Sequence, residues 1–186
     1  MTYEEVMTVL ESSDCLYSEE DLIRQLNLLA DEITQVHSNS CPVVLCVMTG
    51  GLIPLGHLLT RLHFPLELDY IHVTRYKGNI SGGEIEWKVK PSISLQDRDV
   101  VIVDDILDEG VTLASIVEFC EQAGARAVSS AVLVEKNHQR KQGYKADYSA
   151  LQIDDRYVFG FGMDYKGWLR NINGIYAVNE TILNAN

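Results

Sequence analysis

Along this chain the spacing of apolar residues switches repeatedly between a helical period and short unbroken runs. After Ser18 the apolar positions are Leu22, Ile23, Leu26, Leu29, Ile33 and Val36, the three-and-four spacing of one helix face. Ser18 and Asp21 stand three apart at its start, the arrangement of a reciprocal N-cap. Pro42 opens an apolar run at 43–48 that reads as a buried strand, and Gly50-Gly51 leads into a helix at about 52–62. Residues 66–75 read as a second strand. The segment 77–90 reads as a mobile hairpin, with Gly78, Gly82 and Gly83 followed by the alternation Glu84-Ile85-Glu86-Trp87-Lys88-Val89. Further strands are expected at 100–104, 127–134 and 157–160, with a short one near 175–178. The stripe Leu113, Ile116, Val117, Cys120 and Ala123 predicts a helix that Gly124 stops. Strands alternating with helices across short links are the pattern of a doubly wound α/β sheet. Internal repeats, low-complexity runs and linkers are absent from the sequence, so one compact domain is expected over residues 1–186.

The densest chemistry sits where the run Val100-Val101-Ile102-Val103 stops. Four acids, Asp104, Asp105, Asp108 and Glu109, occupy the next six positions, and Gly110-Val111-Thr112 opens the following helix. Ligands of open α/β sheets bind at the carboxyl ends of strands, and a fresh helix N-terminus offers N–H groups to an anion. Carboxylates repel phosphate, so acids beside an anion cradle make sense when a hard divalent cation or sugar hydroxyls sit between them. The string Asp104-Asp105-Ile106-Leu107-Asp108 is also a DDxxD, which isoprenoid synthases carry on a helix face. Here the preceding apolar run argues for a strand instead. The alternating acids of a calcium-binding helix–loop–helix are missing as well. A solvated acidic turn accounts for one or two acids at a helix start, but not for four at the end of an apolar strand.

Composition narrows the classes. A hydrophobic content of 46% supplies an ample core, and no apolar run approaches the ~18 residues of a membrane span. The first residues, Met-Thr-Tyr-Glu-Glu, lack the basic and apolar regions of a signal peptide. The four cysteines (Cys15, Cys41, Cys46, Cys120) show neither CxxC nor zinc spacing and read as reduced thiols of a cytoplasmic protein. A net charge of −12 opposes binding to nucleic acid, which needs phosphate neutralised by Lys and Arg. The five histidines (His37, His57, His63, His72, His138) show no ligand spacing and are assigned structural roles.

Set in order along the chain, several motifs point the same way. Val43-Val44-Leu45-Cys46-Val47-Met48-Thr49-Gly50-Gly51 comes first, then Thr74-Arg75-Tyr76 before a polar loop, then the acidic segment, then Val134-Glu135-Lys136. The block Arg156-Tyr157-Val158-Phe159-Gly160-Phe161-Gly162-Met163-Asp164-Tyr165 follows, with Arg170 a little later. This series resembles the type I phosphoribosyltransferases, and within them the hypoxanthine-guanine branch, over about residues 15–178. The acidic signature is shared by all type I members, whereas the Val-Phe-Gly-Phe-Gly-Met-Asp-Tyr block is far more specific to the 6-oxopurine enzymes. The resemblance implies a Rossmann-like, mainly parallel twisted sheet flanked by helices, with a small hood from the chain ends.

It also implies roles. Asp108 matches the general base that takes the purine N7 proton. Asp104 and Asp105 match the acids that hold the ribose hydroxyls of phosphoribosyl diphosphate (PRPP), directly or through Mg²⁺. Asp108, Glu109, Gly110, Val111 and Thr112 match the 5′-phosphate cradle, although Glu109 stands where Ser or Thr is usual, so its side chain is expected to face solvent. Thr49 and Gly50 match the diphosphate loop, where many relatives carry Lys at the position of Thr49 and a cis bond corresponding to Met48–Thr49. Arg170 matches an arginine on the diphosphate, and Asp164 an acid on a second Mg²⁺ beside the purine pocket. Lys136 matches the donor to the purine 6-oxo group, Tyr157 the stacking aromatic, and Val158 the backbone at the purine edge. Arg75 and Tyr76 open the candidate lid, residues 76–90, which would shield an oxocarbenium-like centre from water.

The expected partners are PRPP and 6-oxopurine bases, with no nucleic acid and no membrane, in a homodimer or homotetramer. The expected activity is purine salvage, giving the mononucleotide of hypoxanthine or guanine. The alternatives are a xanthine-guanine specificity, or a PRPP-sensing regulator on the same fold that binds nucleic acid through a basic face.

Overall fold

The computed structural model describes residues 1–75, 85–140 and 143–183. In chain order the elements are α1 (Tyr3–Ser12), β1 (Asp14–Ser18), α2 (Glu19–His37), β2 (Val43–Met48), α3 (Leu52–Leu59), β3 (Glu67–Arg75) and β4 (Ile85–Val89). They continue with β5 (Asp99–Leu107), α4 (Val111–Gln122), β6 (Ala127–Asn137), β7 (Tyr148–Asp154), β8 (Val158–Phe159), β9 (Gly174–Ala177) and α5 (Glu180–Leu183). Six strands form the main sheet in the order β4-β3-β2-β5-β6-β7. All neighbours run parallel except the edge pair β3 and β4, which is antiparallel.

Alternate residues of the central strands face opposite layers, as the two-residue strand period requires. Val44, Cys46, Val101 and Val103 pack with Leu22, Leu26, Leu29 and Ile33 of α2 and with Leu55 and Leu58 of α3. Val43, Leu45, Val47, Val100 and Ile102 pack with Leu113, Ile116 and Cys120 of α4 on the other face. Both faces of β2 and β5 are therefore dry, and for that reason their sequences are unbroken apolar runs. Each fully buried Leu or Ile contributes about 1.5–3 kcal/mol. A second, three-stranded antiparallel sheet, β1-β9-β8, forms the hood. Val6 and Val9 of α1 cover it, packed with Phe159, Tyr165, Leu169 and Val178.

The expected capping box holds, since Ser18 Oγ accepts from the Asp21 N–H while the Asp21 carboxylate accepts from the Ser18 N–H. Several expectations are corrected. Val36 is 62% exposed, and His37, next to it, is buried in its place. The last turn of α2 lies on β7, where His37 meets Tyr148 edge to face. Helix α3 stops at Leu59 rather than near 62. β5 continues through both adjacent acids to Leu107, and β6 reaches Asn137. Tyr157 precedes β8 instead of starting it. β1, β7 and α1 belong to no expected element. β3 and β4 pair antiparallel, with Trp87 resting on Phe119 of α4 at a ring separation of 4.5 Å. Tyr76 and the rest of 76–84, with the side chain of Arg75, lie outside the described residues, and with them most of the expected lid.

The turn after β4 is anchored by one carboxylate. Asp69 on β3 accepts from the N–H groups of Tyr70, Ser92 and Ile93 and from the Ser92 hydroxyl, at 2.6–3.0 Å. Burial acts to raise the carboxyl, but these donors more than offset it and hold Asp69 below the ordinary carboxylate range. A carboxyl depressed in the folded state adds stability above its unfolded value, and that stability is lost as pH falls through the folded value. Asp69→Ala should therefore cost about 2 kcal/mol in urea unfolding at pH 7. The cost should shrink below about pH 4, near the unfolded carboxyl value. A cost that does not vary with pH would remove the anchoring role.

Candidate active site

Strand order reverses between β2 and β5, so their carboxyl ends open a crevice at the switch point of the main sheet. Asp104 and Asp105 enter it from β5, both buried. Each carboxylate accepts the next backbone N–H at 2.9 Å, Asp105 N–H to Asp104 and Ile106 N–H to Asp105. Burial, and then the neighbouring Asp105 charge, push the Asp104 carboxyl well above the usual range. Burial raises Asp105 too, against the pull of its hydrogen bond to Asp104 and of Arg170. Among the described residues, the cation facing the pair is Arg170, whose Nη1 lies 3.8 Å from the Asp105 carboxylate.

The loop after β2 is shaped to this pair. The Met48–Thr49 peptide is cis, as the family resemblance implied, and Thr49 is exposed. A Cβ on Gly50 would overlap the Asp105 carboxylate, and one on Gly51 would press the carbonyls of Val103 and Val47 at 2.7 and 2.8 Å. Gly162, at φ +110°, lies so close to the Gly50 carbonyl that a Cβ there would overlap it. Arg170 links these parts: it donates to the Gly162 carbonyl at 2.6 Å and pairs with Asp164 at 2.6 Å. Asp164 also accepts the Gly167 N–H at 2.6 Å. Thr49, Gly50, Asp104, Asp105, Asp164 and Arg170 thus meet in one crevice.

On its other side, Asp108 stands at the start of the short connection into α4. Gly110, in the left-handed region at φ +88°, turns the chain, and no side chain caps the helix N-terminus that Val111 begins. Glu109 is half-buried, and its charge acts on the Arg140 guanidinium. Asp108 accepts from Lys136 Nζ at 3.1 Å on one oxygen and lies 2.6 Å from His138 Nε2 on the other. Burial acts to raise the Asp108 carboxyl, but the hydrogen bonds from His138 and Lys136 win, leaving it below the ordinary range. A cavity of about 270 Å³ is lined by Asp105, Ile106, Asp108, Lys136, Tyr157, Val158, Met163 and Asp164. It brings together every residue expected at the purine. The half-exposed ring of Tyr157 forms one wall, held edge to face against buried Tyr165 at 5.4 Å.

His138, Arg140 and Asp155 were missed in the sequence. Arg140 pairs bidentately with Asp155 at 2.5 and 2.9 Å and approaches Asp108 at 3.8 Å, while Lys136 lies 3.9 Å from Asp155. The available signal was the two-residue step from Lys136, near the end of β6, to His138 just beyond it. Asp108, His138 and Asp155 each bring a potential ligand atom within 4.8 Å of the others. Lys136 and Arg140 already balance that cluster. The buried pair Asp104–Asp105, with hard oxygens and little compensating charge, fits a divalent cation better.

The model of the phosphoribosyl transferase domain family matches residues 12–166, and the chain belongs to that family. More particularly, it is similar to the hypoxanthine-guanine phosphoribosyltransferase of Bacillus subtilis, with 30% identity covering 90% of this chain and 93% of that protein. The hypoxanthine-guanine-xanthine phosphoribosyltransferase of Tritrichomonas foetus is 29% identical, covering 90% and 92%. Among solved structures, a hypoxanthine phosphoribosyltransferase from Staphylococcus aureus superposes with a TM-score of 0.88 at 26% identity, covering 97% of this chain and 98% of that one.

The contact of Gly50 with Asp105 can be tested by stability. Gly50→Ala should cost about 1–3 kcal/mol in urea unfolding. With Asp105 also replaced by Ala, the added cost of Gly50→Ala should fall below half of that. Equal costs in both backgrounds would place the clash elsewhere.

Proposed function

We propose that the protein is a purine-salvage transferase that moves the 5-phosphoribosyl group from PRPP to N9 of hypoxanthine or guanine, releasing diphosphate and giving IMP or GMP. The observation that carries this reading is the cavity in which Lys136 and Asp108 face Tyr157 and Val158 beside the buried pair Asp104–Asp105. A purine laid against Tyr157 would offer its 6-oxo group to Lys136 and its N7 proton to Asp108. Asp104 and Asp105 would hold the ribose hydroxyls or Mg²⁺, with Asp164 holding a second ion. The backbone from Asp108 to Thr112 would cradle the 5′-phosphate at the start of α4, and Thr49, Gly50 and Arg170 would receive the diphosphate. Bound Mg²⁺ supplies charge neutralisation for the leaving diphosphate.

The residues of the chain do the rest. Asp108, held below the ordinary carboxylate range by its donors, is an anion at neutral pH and offers an acceptor oxygen. Lys136 is a donor without acceptor capacity, which suits an oxo group and disfavours the amino group of adenine. The four free cysteines support a cytoplasmic setting, and no helix among the described residues is long and apolar enough to cross a membrane. The regulator alternative lacks support from charge, since a net −12 disfavours nucleic acid. Breadth toward xanthine is read by adding xanthine to the panel of bases tested with PRPP.

Purified protein with Mg²⁺ and PRPP should convert hypoxanthine or guanine to the mononucleotide. Asp108→Asn should lower kcat by about 10²–10⁴, the usual worth of a positioned proton transfer, with PRPP affinity little changed. Near-normal kcat with a large loss of PRPP binding would assign Asp108 to ribose or metal instead. Base selectivity gives a separate check. Adenine should fall below hypoxanthine by roughly 10⁴-fold in kcat/KM, and Lys136→Ala should cost hypoxanthine and guanine far more than adenine. Comparable kcat/KM for adenine and hypoxanthine in the unmodified protein would defeat the role of the lysine.

A further inference from the structure

Asp108 has two strong partners of different character. Lys136 reaches one carboxylate oxygen from within the cavity, and it has other calls on its charge, with Asp155 at 3.9 Å. His138 reaches the other oxygen from behind, with its side chain 5% exposed. The backbone N–H of Arg140 donates to His138 Nδ1 at 3.1 Å. An imidazole nitrogen that accepts a hydrogen bond carries no proton, so in the neutral ring the proton is on Nε2. The contact with Asp108 at 2.6 Å is then an Nε2–H donated to a carboxylate.

We propose that His138 is a positioning residue for Asp108, holding one carboxylate oxygen in place while the other is vacated by Lys136 and takes the purine proton. This rests on the reading of Asp108 as the proton acceptor. A bound 6-oxo group competes for Lys136, and without a second holder the carboxylate would be free to rotate as the lysine leaves it. His138 stays, because its ring is buried and its far nitrogen is tied to the main chain. In the chemical step the N9–C1′ bond forms, the C1′–O bond to diphosphate breaks, and the N7 proton passes to the free oxygen of Asp108. His138 keeps its Nε2–H throughout and transfers no proton. The departure of Lys136 also removes one of the donors that depress Asp108 and so makes it a better base as substrate arrives. The other charged groups around Asp108 are Arg140 and Asp155, paired with each other, and Glu109 on its own connection.

Side-chain reach separates this role from simple packing. The amide nitrogen of Gln extends about as far as imidazole Nε2, whereas that of Asn falls short. His138→Ala and His138→Asn should lower kcat by about tenfold to a hundredfold, the scale of a small misplacement of a catalytic group, with KM for PRPP within about twofold. His138→Gln should recover most of that loss. Loss of the histidine donor raises the Asp108 carboxyl, so the acid limb of the kcat/KM profile should move to higher pH in the Ala and Asn variants and not in the Gln variant. The same shift should appear in a carbon-13 NMR titration of Asp108, which does not depend on turnover. An Asp108 titration unmoved by His138→Ala, or Gln and Asn variants that behave alike, would overturn the proposal. Absence of PRPP-dependent turnover in the unmodified protein would instead remove the proposed function, while the NMR comparison still decides whether His138 holds Asp108.

Discussion

The site is organised around two neighbouring carboxylates buried at the end of a parallel strand. Removing such charges from water costs several kcal/mol each unless partners compensate, and Arg170 at 3.8 Å compensates only in part. The surroundings are arranged around that cost. The loop after β2 must be glycine where Asp105 lies against it, and the next glycine fits between the carbonyls of β2 and β5. Gly162 brings a third segment onto the same loop, and Arg170 ties that segment to Asp105 and Asp164. Of these glycines only Gly50 answers to the acids; Gly51 and Gly162 are held to glycine by backbone carbonyls.

The two halves of the crevice differ electrostatically. Asp104 and Asp105 are under-compensated and raised, which is the state suited to receiving a cation or hydroxyl donors. Asp108 is over-supplied with donors and depressed, which is the state suited to remaining anionic until a proton is delivered. Three carboxylates within five residues of one strand end thus sit in opposite electrostatic states because their neighbours differ.

The parts of the fold that could be read in the sequence are those whose burial is uniform. β2 and β5 are covered on both faces and α2 and α4 on one stripe, so unbroken runs and helical spacing announce them. β7 is an edge strand with only Leu151 and Ile153 of its second half buried, too short an alternation to stand out. β1 pairs with β9, a partner about 160 residues away, and no local pattern carries that information. The length of β5 was misjudged because Asp104 and Asp105 break its apolar run while keeping strand geometry. Val36 and His37 exchange places because α2 ends against Tyr148, a tertiary contact that overrides hydrophobic rank. The candidate residues carried by motifs were legible, and apart from Arg75 and Tyr76, which belong to the expected lid, the described ones lie around one crevice. His138, Arg140 and Asp155 were not, since single polar residues beyond a strand end look solvated until the fold closes over them.

The hood has a consequence for how the protein is made. β9 lies between β1 and β8, so the sheet that carries Tyr157 and Val158 toward the cavity joins residues near both ends of the chain. The Val178 N–H donates to the Tyr157 carbonyl at 2.8 Å, and Arg156 pairs with Asp14 at 2.6 Å. During synthesis the main sheet, complete by Asp154, can collapse first, while β1 has no strand to pair with until β9 emerges. The wall that Tyr157 and Val158 give this cavity is therefore the last part to close. A nascent chain stalled before Gly174 would hold its acids in place with half of the pocket unbuilt.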